Sequence, residues 1–107
     1  MVKINYLPQE FRRKTVKEKL ERVCEENDIV FLALFGSFAV GKPNKKSDVD
    51  ILVKFDEAKR KTLLDLIHTE NEMKKLFKRD VDLLTEGSLG PYLKNNILKS
   101  MRVVYER

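Results

Sequence analysis

The spacing of hydrophobic and polar positions along this chain changes several times, and each change marks an element. Between residues 9 and 27, Val16, Leu20, Val23 and Cys24 recur at helical spacing with charges between them, which predicts an amphipathic helix. Asn27-Asp28 ends it. IVFLALF (29–35) is a continuous apolar run rich in β-branched and aromatic residues, the pattern of a strand covered on both faces. Gly36-Ser37 breaks that strand, a short helical turn is expected over 38–41, and KPNKKS (42–47) has the composition of a loop. DVDILVKF (48–55) alternates and then turns apolar, predicting a second strand. Residues 57–77 predict a long amphipathic helix with Leu63, Leu64, Ile67, Met73, Leu76 and Phe77 on its core side. RDVDLLT (79–85) predicts a third strand. Ser88 is placed to cap a helix running to about Ser100, and RVVYE (102–106) predicts a short last strand. This order specifies a small α/β (α+β) fold, with helices packed on one face of a mixed sheet and the other face open.

Composition narrows the picture. A chain of 107 residues, 42% hydrophobic and 36% charged, reads as a single globular domain over 1–107. The formal net charge of +5 favours anionic partners without choosing among them. Much of the positive charge alternates with Glu, as in KEKLERVCEE (17–26), which reads first as a solvated helix face. The lone Cys24 excludes an internal disulfide and fits a reducing compartment; its helical position makes it a small core residue. The longest uncharged stretch, residues 29–41, is shorter than the ~18 apolar residues that a membrane span needs. The start of the chain has no basic-then-apolar signal pattern. A cytoplasmic protein is expected.

The candidate chemistry lies in the aspartates. Asp48 and Asp50 are two apart on a predicted strand, so both side chains leave one face, with Cβ atoms roughly 6–7 Å apart. Such a pair repels itself unless a cation lies between, and Mg²⁺ accepts a few carboxylates together with water and substrate phosphates. Asp80 and Asp82 repeat the pattern on the third strand. If the second and third strands are neighbours, Asp82 joins the first pair, and three carboxylates can hold two ions about 3.5–4 Å apart for phosphoryl or nucleotidyl transfer. The bland alternative is that acidic pairs are common in a chain with 17 Asp and Glu, with lysines pairing them structurally. Gly36-Ser37 admits a phosphate close to the backbone and offers a hydroxyl and an N–H; taken alone it is an ordinary turn and N-cap.

Together these parts are more specific. FGSFAVGKPNKKSDVDILVKF (35–55), a long helix, and then RDVDLLT (79–85) closely resemble the minimal nucleotidyltransferases, small stand-alone domains of the DNA polymerase beta superfamily. SLGPYLKNNILKSMRVVYE (88–106) is similar to their closing helix and strand. The resemblance spans nearly the whole chain and implies a palm-like sheet. It also implies that Asp48, Asp50 and Asp82 are catalytic and bind two Mg²⁺ or Mn²⁺ ions, with Asp82 helping to activate the acceptor hydroxyl. It assigns Gly36, Ser37 and Ser47 to the nucleotide side, Ser47 chiefly by fixing the turn before the aspartates, and Lys42 of the adjoining loop is counted with them as a nucleotide-binding candidate. One departure is plain: many members carry Arg after the Ala of the turn, where this chain has Ala39-Val40-Gly41. Lys42, Lys45 or Lys46 could supply point charges in its place. Asp80 reads as a rim residue. The family further implies ATP as donor, adenylylation as reaction, and an antitoxin role toward a small helical HEPN ribonuclease toxin modified on tyrosine.

Other residues read more simply. His68, the only histidine, is expected solvated, and Tyr6, Tyr92 and Tyr105 packed; Phe38 is either core or partner surface. Three functions stay open at this point. They are an active metal-dependent nucleotidyltransferase, a non-catalytic module that neutralises a partner by contact, and a basic nucleic-acid-binding domain supported only by the lysine loop. No membrane partner is expected.

Overall fold

A computed structural model describes residues 2–3, 7–39 and 48–107. The expected elements are present in the expected order: helix α1 (Lys14–Glu26), strands β1 (Ile29–Phe35) and β2 (Val49–Phe55), helix α2 (Leu63–Phe77), strand β3 (Val81–Thr85), helix α3 (Pro91–Ser100) and strand β4 (Arg102–Glu106). The strands form one sheet in the order β3-β2-β1-β4. β1 runs antiparallel to both β2 and β4, while β2 and β3 are parallel. A parallel neighbour needs a long crossover, and α2 supplies it. The sheet is therefore mixed.

Alternation along β2 divides the two faces. Val49, Ile51 and Val53 join Leu32 and Leu34 of β1 in the core with Leu20 and Cys24 of α1 and Met73, Leu76 and Phe77 of α2. Each fully buried aliphatic or aromatic side chain contributes about 1.5–3 kcal/mol. Asp50, Leu52 and Lys54 leave the opposite face. α3 lies against one end of that face, where Leu98 and Met101 meet Phe31, Leu52 and Lys54 around a small hollow.

Three boundaries differ from the sequence reading. The first helix starts at Lys14 and not near 9, after a 3-10 turn at Gln9–Phe11 and an extended Arg13. Phe11 explains the break. In a continuous helix it would lie nine residues, or 180°, from Leu20, whereas both are buried here. The second helix starts at Leu63 and not at 57, because Thr62 accepts from the Asp65 N–H (3.3 Å) and the Asp65 carboxylate accepts from the Thr62 N–H (2.9 Å). This capping box satisfies two otherwise orphaned donors and is worth about 1 kcal/mol. Ser88 does not cap the third helix. Its hydroxyl donates to the Thr85 carbonyl at 2.7 Å, while Gly90 and Pro91 open α3.

The buried stripe of α2 is also rotated from expectation. Leu63, Leu64 and Ile67 are 72%, 76% and 45% exposed, and the core side is Thr69, Met73, Leu76 and Phe77. The buried Thr69 hydroxyl donates to the Asn27 Oδ1 at 3.2 Å, and Asn27 Nδ2 donates to the Val23 carbonyl at 2.8 Å. A polar link thus ties the end of α1 to the middle of α2, with its buried groups satisfied. Cys24 is buried as expected, and its thiol is pushed up to about 12 by that burial.

Candidate active site

The β2–β3 ladder decides where the aspartates go. Its register pairs Asp50 with Asp82 directly, on strands about 4.8 Å apart, so both carboxylates leave the same face side by side. Asp48 immediately precedes β2, exposed, and the N–H of Val49 donates to the Asp80 carbonyl at 2.9 Å, anchoring the start of both strands. Asp80 is exposed at the rim. The convergence that the sequence required of the second and third strands is therefore present.

The opposite neighbour of Asp50 is Phe35 at the end of β1, and Gly36 follows. Gly36 has φ +69°, and a Cβ built there would overlap the Asp50 carboxylate. Glycine is required twice over, for the left-handed backbone and for the close approach. Residues Gly36–Phe38 then make a 3-10 turn closed by Ala39 N–H to the Gly36 carbonyl at 3.1 Å, in which Ser37 follows Gly36 and is half-buried. Phe38 resolves as core. It is 2% exposed, its ring centroid lies 5.4 Å from that of Phe11, and the Arg79 guanidinium covers it at 5.1 Å. The Arg79 Nε donates to Glu10 at 2.7 Å. No sequence signal singled out Arg79; it lies just ahead of the second Asp-x-Asp and ties that strand's start to the turn. Val40, Gly41, Lys42, Lys45, Lys46 and Ser47 lie outside the described residues, as does Tyr6.

Asp50 is half-buried, and its carboxyl is pushed above the ordinary aspartate value, first by desolvation, then by the charges of Asp82 and Asp48. Among the described residues no cation or hydrogen-bond donor answers these three carboxylates. The unmet need is for positive charge. Among the described residues no three acidic, histidine or cysteine side chains are gathered closely enough to chelate an ion unaided. An in-register pair of carboxylates with an exposed third at the head of the strand leaves most of a hard dication's shell to water and phosphate oxygens. His68 is exposed on α2 and meets Glu72 at 2.6 Å, away from these groups.

Residues 16–104 match the family model described as nucleotidyltransferase domain. The chain belongs to this family. It is 36% identical over 83 residues to a Methanocaldococcus jannaschii protein provisionally named a protein adenylyltransferase, an overlap covering 78% of this chain and 87% of that one. The nucleotidyltransferase fold also aligns with a toxin–antitoxin crystal structure containing AMP-PNP (TM-score 0.70, 21% identity, 84% of this chain and 73% of that chain). It aligns as well with the structure of a tri-AMPylated Shewanella oneidensis HEPN toxin in complex with MNT antitoxin (TM-score 0.63, 18% identity, 88% and 72%). At those identities the likeness shows the fold. Among the described residues, no helix of this nucleotidyltransferase is long and apolar enough to cross a membrane.

Proposed function

We propose that this nucleotidyltransferase moves AMP from ATP to a tyrosine hydroxyl of a partner protein, and that it acts as the antitoxin of a HEPN-type ribonuclease. The in-register pair of Asp50 and Asp82, with Asp48 beside it and Gly36 pressed against it, carries the reading. The names of the M. jannaschii relative and of the toxin complexes support the donor and the partner class.

Asp48, Asp50 and Asp82 would hold one or two Mg²⁺ or Mn²⁺ ions. When bound, such ions neutralise the triphosphate and stabilise charge on the entering and leaving oxygens. The chain's own groups do the positioning. Gly36 lets the turn pass directly against the Asp50 carboxylate, and Ser37 offers its hydroxyl and N–H to phosphate oxygens. Lys42 and Ser47 belong to the same proposed nucleotide side. Asp82, exposed at the sheet's rim, is open to the acceptor and takes the proton of its hydroxyl. The acceptor oxygen then forms its bond to the α-phosphorus, the bond from that phosphorus to the bridging oxygen breaks, and pyrophosphate leaves. Desolvation of Asp50 strengthens its hold on positive charge.

The test uses ATP labelled in the α-phosphate, Mg²⁺ or Mn²⁺, and a candidate HEPN-type partner protein. Label passes to the partner, ATP labelled in the γ-phosphate leaves none, and Tyr→Phe in the partner removes the acceptor. Tight partner binding without label transfer would instead identify a neutralising module with no chemistry.

A further inference from the structure

A groove of about 500 Å³ opens between the start of α1 and the end of α2. A second hollow of about 250 Å³ continues it between the same helices, sharing Lys19, Lys75 and Leu76. The walls carry Arg13, Lys19 and Arg22 on one side and Lys75, Lys78 and Arg79 on the other. Arg79 is paired with Glu10. Among the described residues the other five enter no ion pair, whereas Lys3, Lys54, Lys61, Lys74 and Lys94 each do. Six cations thus line one concave track, against Glu10, which is paired with Arg79, and Glu72, an excess of positive charge that attracts a polyanionic surface.

The floor of the track decides between kinds of polyanion. Val16, Val23 and Leu76 line it, an aliphatic surface suited to aliphatic side chains. Its aromatic neighbours Phe11 and Phe77 are 3% exposed each and packed on one another at 4.8 Å, so they offer no face on which a nucleic-acid base could stack. One end of the track lies on the helix side of the sheet, at the strand end where the carboxylates leave the other face. Arg79 lies over Phe38 of the Gly36–Phe38 turn, and two residues further on β3 begins and carries Asp82.

We propose that this groove docks an acidic, aliphatic-bearing polypeptide segment of the acceptor protein, tethering that protein from the helix side of the sheet whose other face carries the carboxylates. The proposal rests on the protein-modifying reading above. Its test is a binding measurement that needs no catalysis. Fluorescence anisotropy is read for a labelled peptide of alternating Glu and Leu, the matching Gln and Leu peptide, and a labelled oligo-dT. The Glu-Leu peptide binds best, binding weakens with salt, and Lys19→Glu with Lys75→Glu weakens it about tenfold or more. Lys19→Gln with Lys75→Gln, a milder change at two exposed positions, weakens it less but measurably, which guards against a charge-reversed protein that fails to fold. Asp50→Asn leaves peptide binding intact, so loss of adenylyl transfer and loss of docking are read separately. Oligo-dT binding more tightly than the Glu-Leu peptide, or peptide binding that survives both pairs of substitutions, overturns the proposal.

Discussion

Asp50 and Lys54 lie on the same strand and the same face, four residues apart, yet their surroundings are opposite. At the Lys54 end every charge has an answer. Glu86 accepts from Lys54 at 3.1 Å and from Lys94 at 3.0 Å, and the Lys54 ammonium rests 4.9 Å from the Phe31 ring centroid. At the Asp50 end Asp82 stands directly opposite and Asp48 adds its charge from the head of the strand, and no described group compensates them. A surface ion pair is easily made on a chain with 22 Lys and Arg, so its omission among the described residues is what the proposed metal and nucleotide site would require.

The strongest break of this contrast is Asp50→Asn. Adenylyl transfer should fall about a thousandfold or more, while the melting temperature without metal at neutral pH rises by a few degrees, because a disfavoured charge has gone. A variant that melts lower than the parent would contradict the electrostatic account. Gly36→Ala comes next. Its methyl meets the Asp50 carboxylate and its backbone is held at positive φ, so about 2 kcal/mol of stability and most of the transfer rate should be lost. Urea unfolding and the label assay read the two effects.

Carboxyl NMR titration sharpens the comparison further. Asp50 should take up its proton above the ordinary aspartate range, through desolvation and its acidic neighbours, and Glu86 below the ordinary glutamate range, through Lys94 and Lys54. The signs for stability are opposite. The Asp50 contribution is present below its unfolded value and lost as pH rises through its folded one. The Glu86 contribution is present above its unfolded value and lost as pH falls through its folded one. The smallest effect belongs to Glu86→Gln, which should leave the transfer rate unchanged and lower the melting temperature only slightly, since exposed pairs are weak. A large loss of activity there would erase the distinction between the two ends.

The contrast was half visible before any coordinates. Asp48, Asp50 and Asp82 announce themselves because charge at the head of an apolar strand is unusual, and strand periodicity settles which face they leave. Gly36 was singled out for an approach to phosphate, whereas the close neighbour in the structure is the Asp50 carboxylate, a meeting that periodicity does not show. The exposed flank of α2 was misread because Leu63, Leu64 and Ile67 look like core by residue type, and the residue that does turn inward, Thr69, is polar and needs Asn27 to be satisfied. Thr62 and Asp65 spell a capping signal, but the helix-forming residues before them masked it. Arg79 and the α1–α2 groove depend on side chains far apart in sequence, and periodicity carries no information about such meetings.

The parallel pairing of β2 with β3 has a consequence for assembly. β1 and β2 are consecutive and antiparallel, so they can close on each other early. Asp82 reaches Asp50 only after α2 has folded back across the sheet, a long-range closure of the kind that slows folding. A partly synthesised or partly opened chain therefore shows at most two of its three carboxylates in place, and the proposed capacity to modify a partner would appear together with the finished sheet.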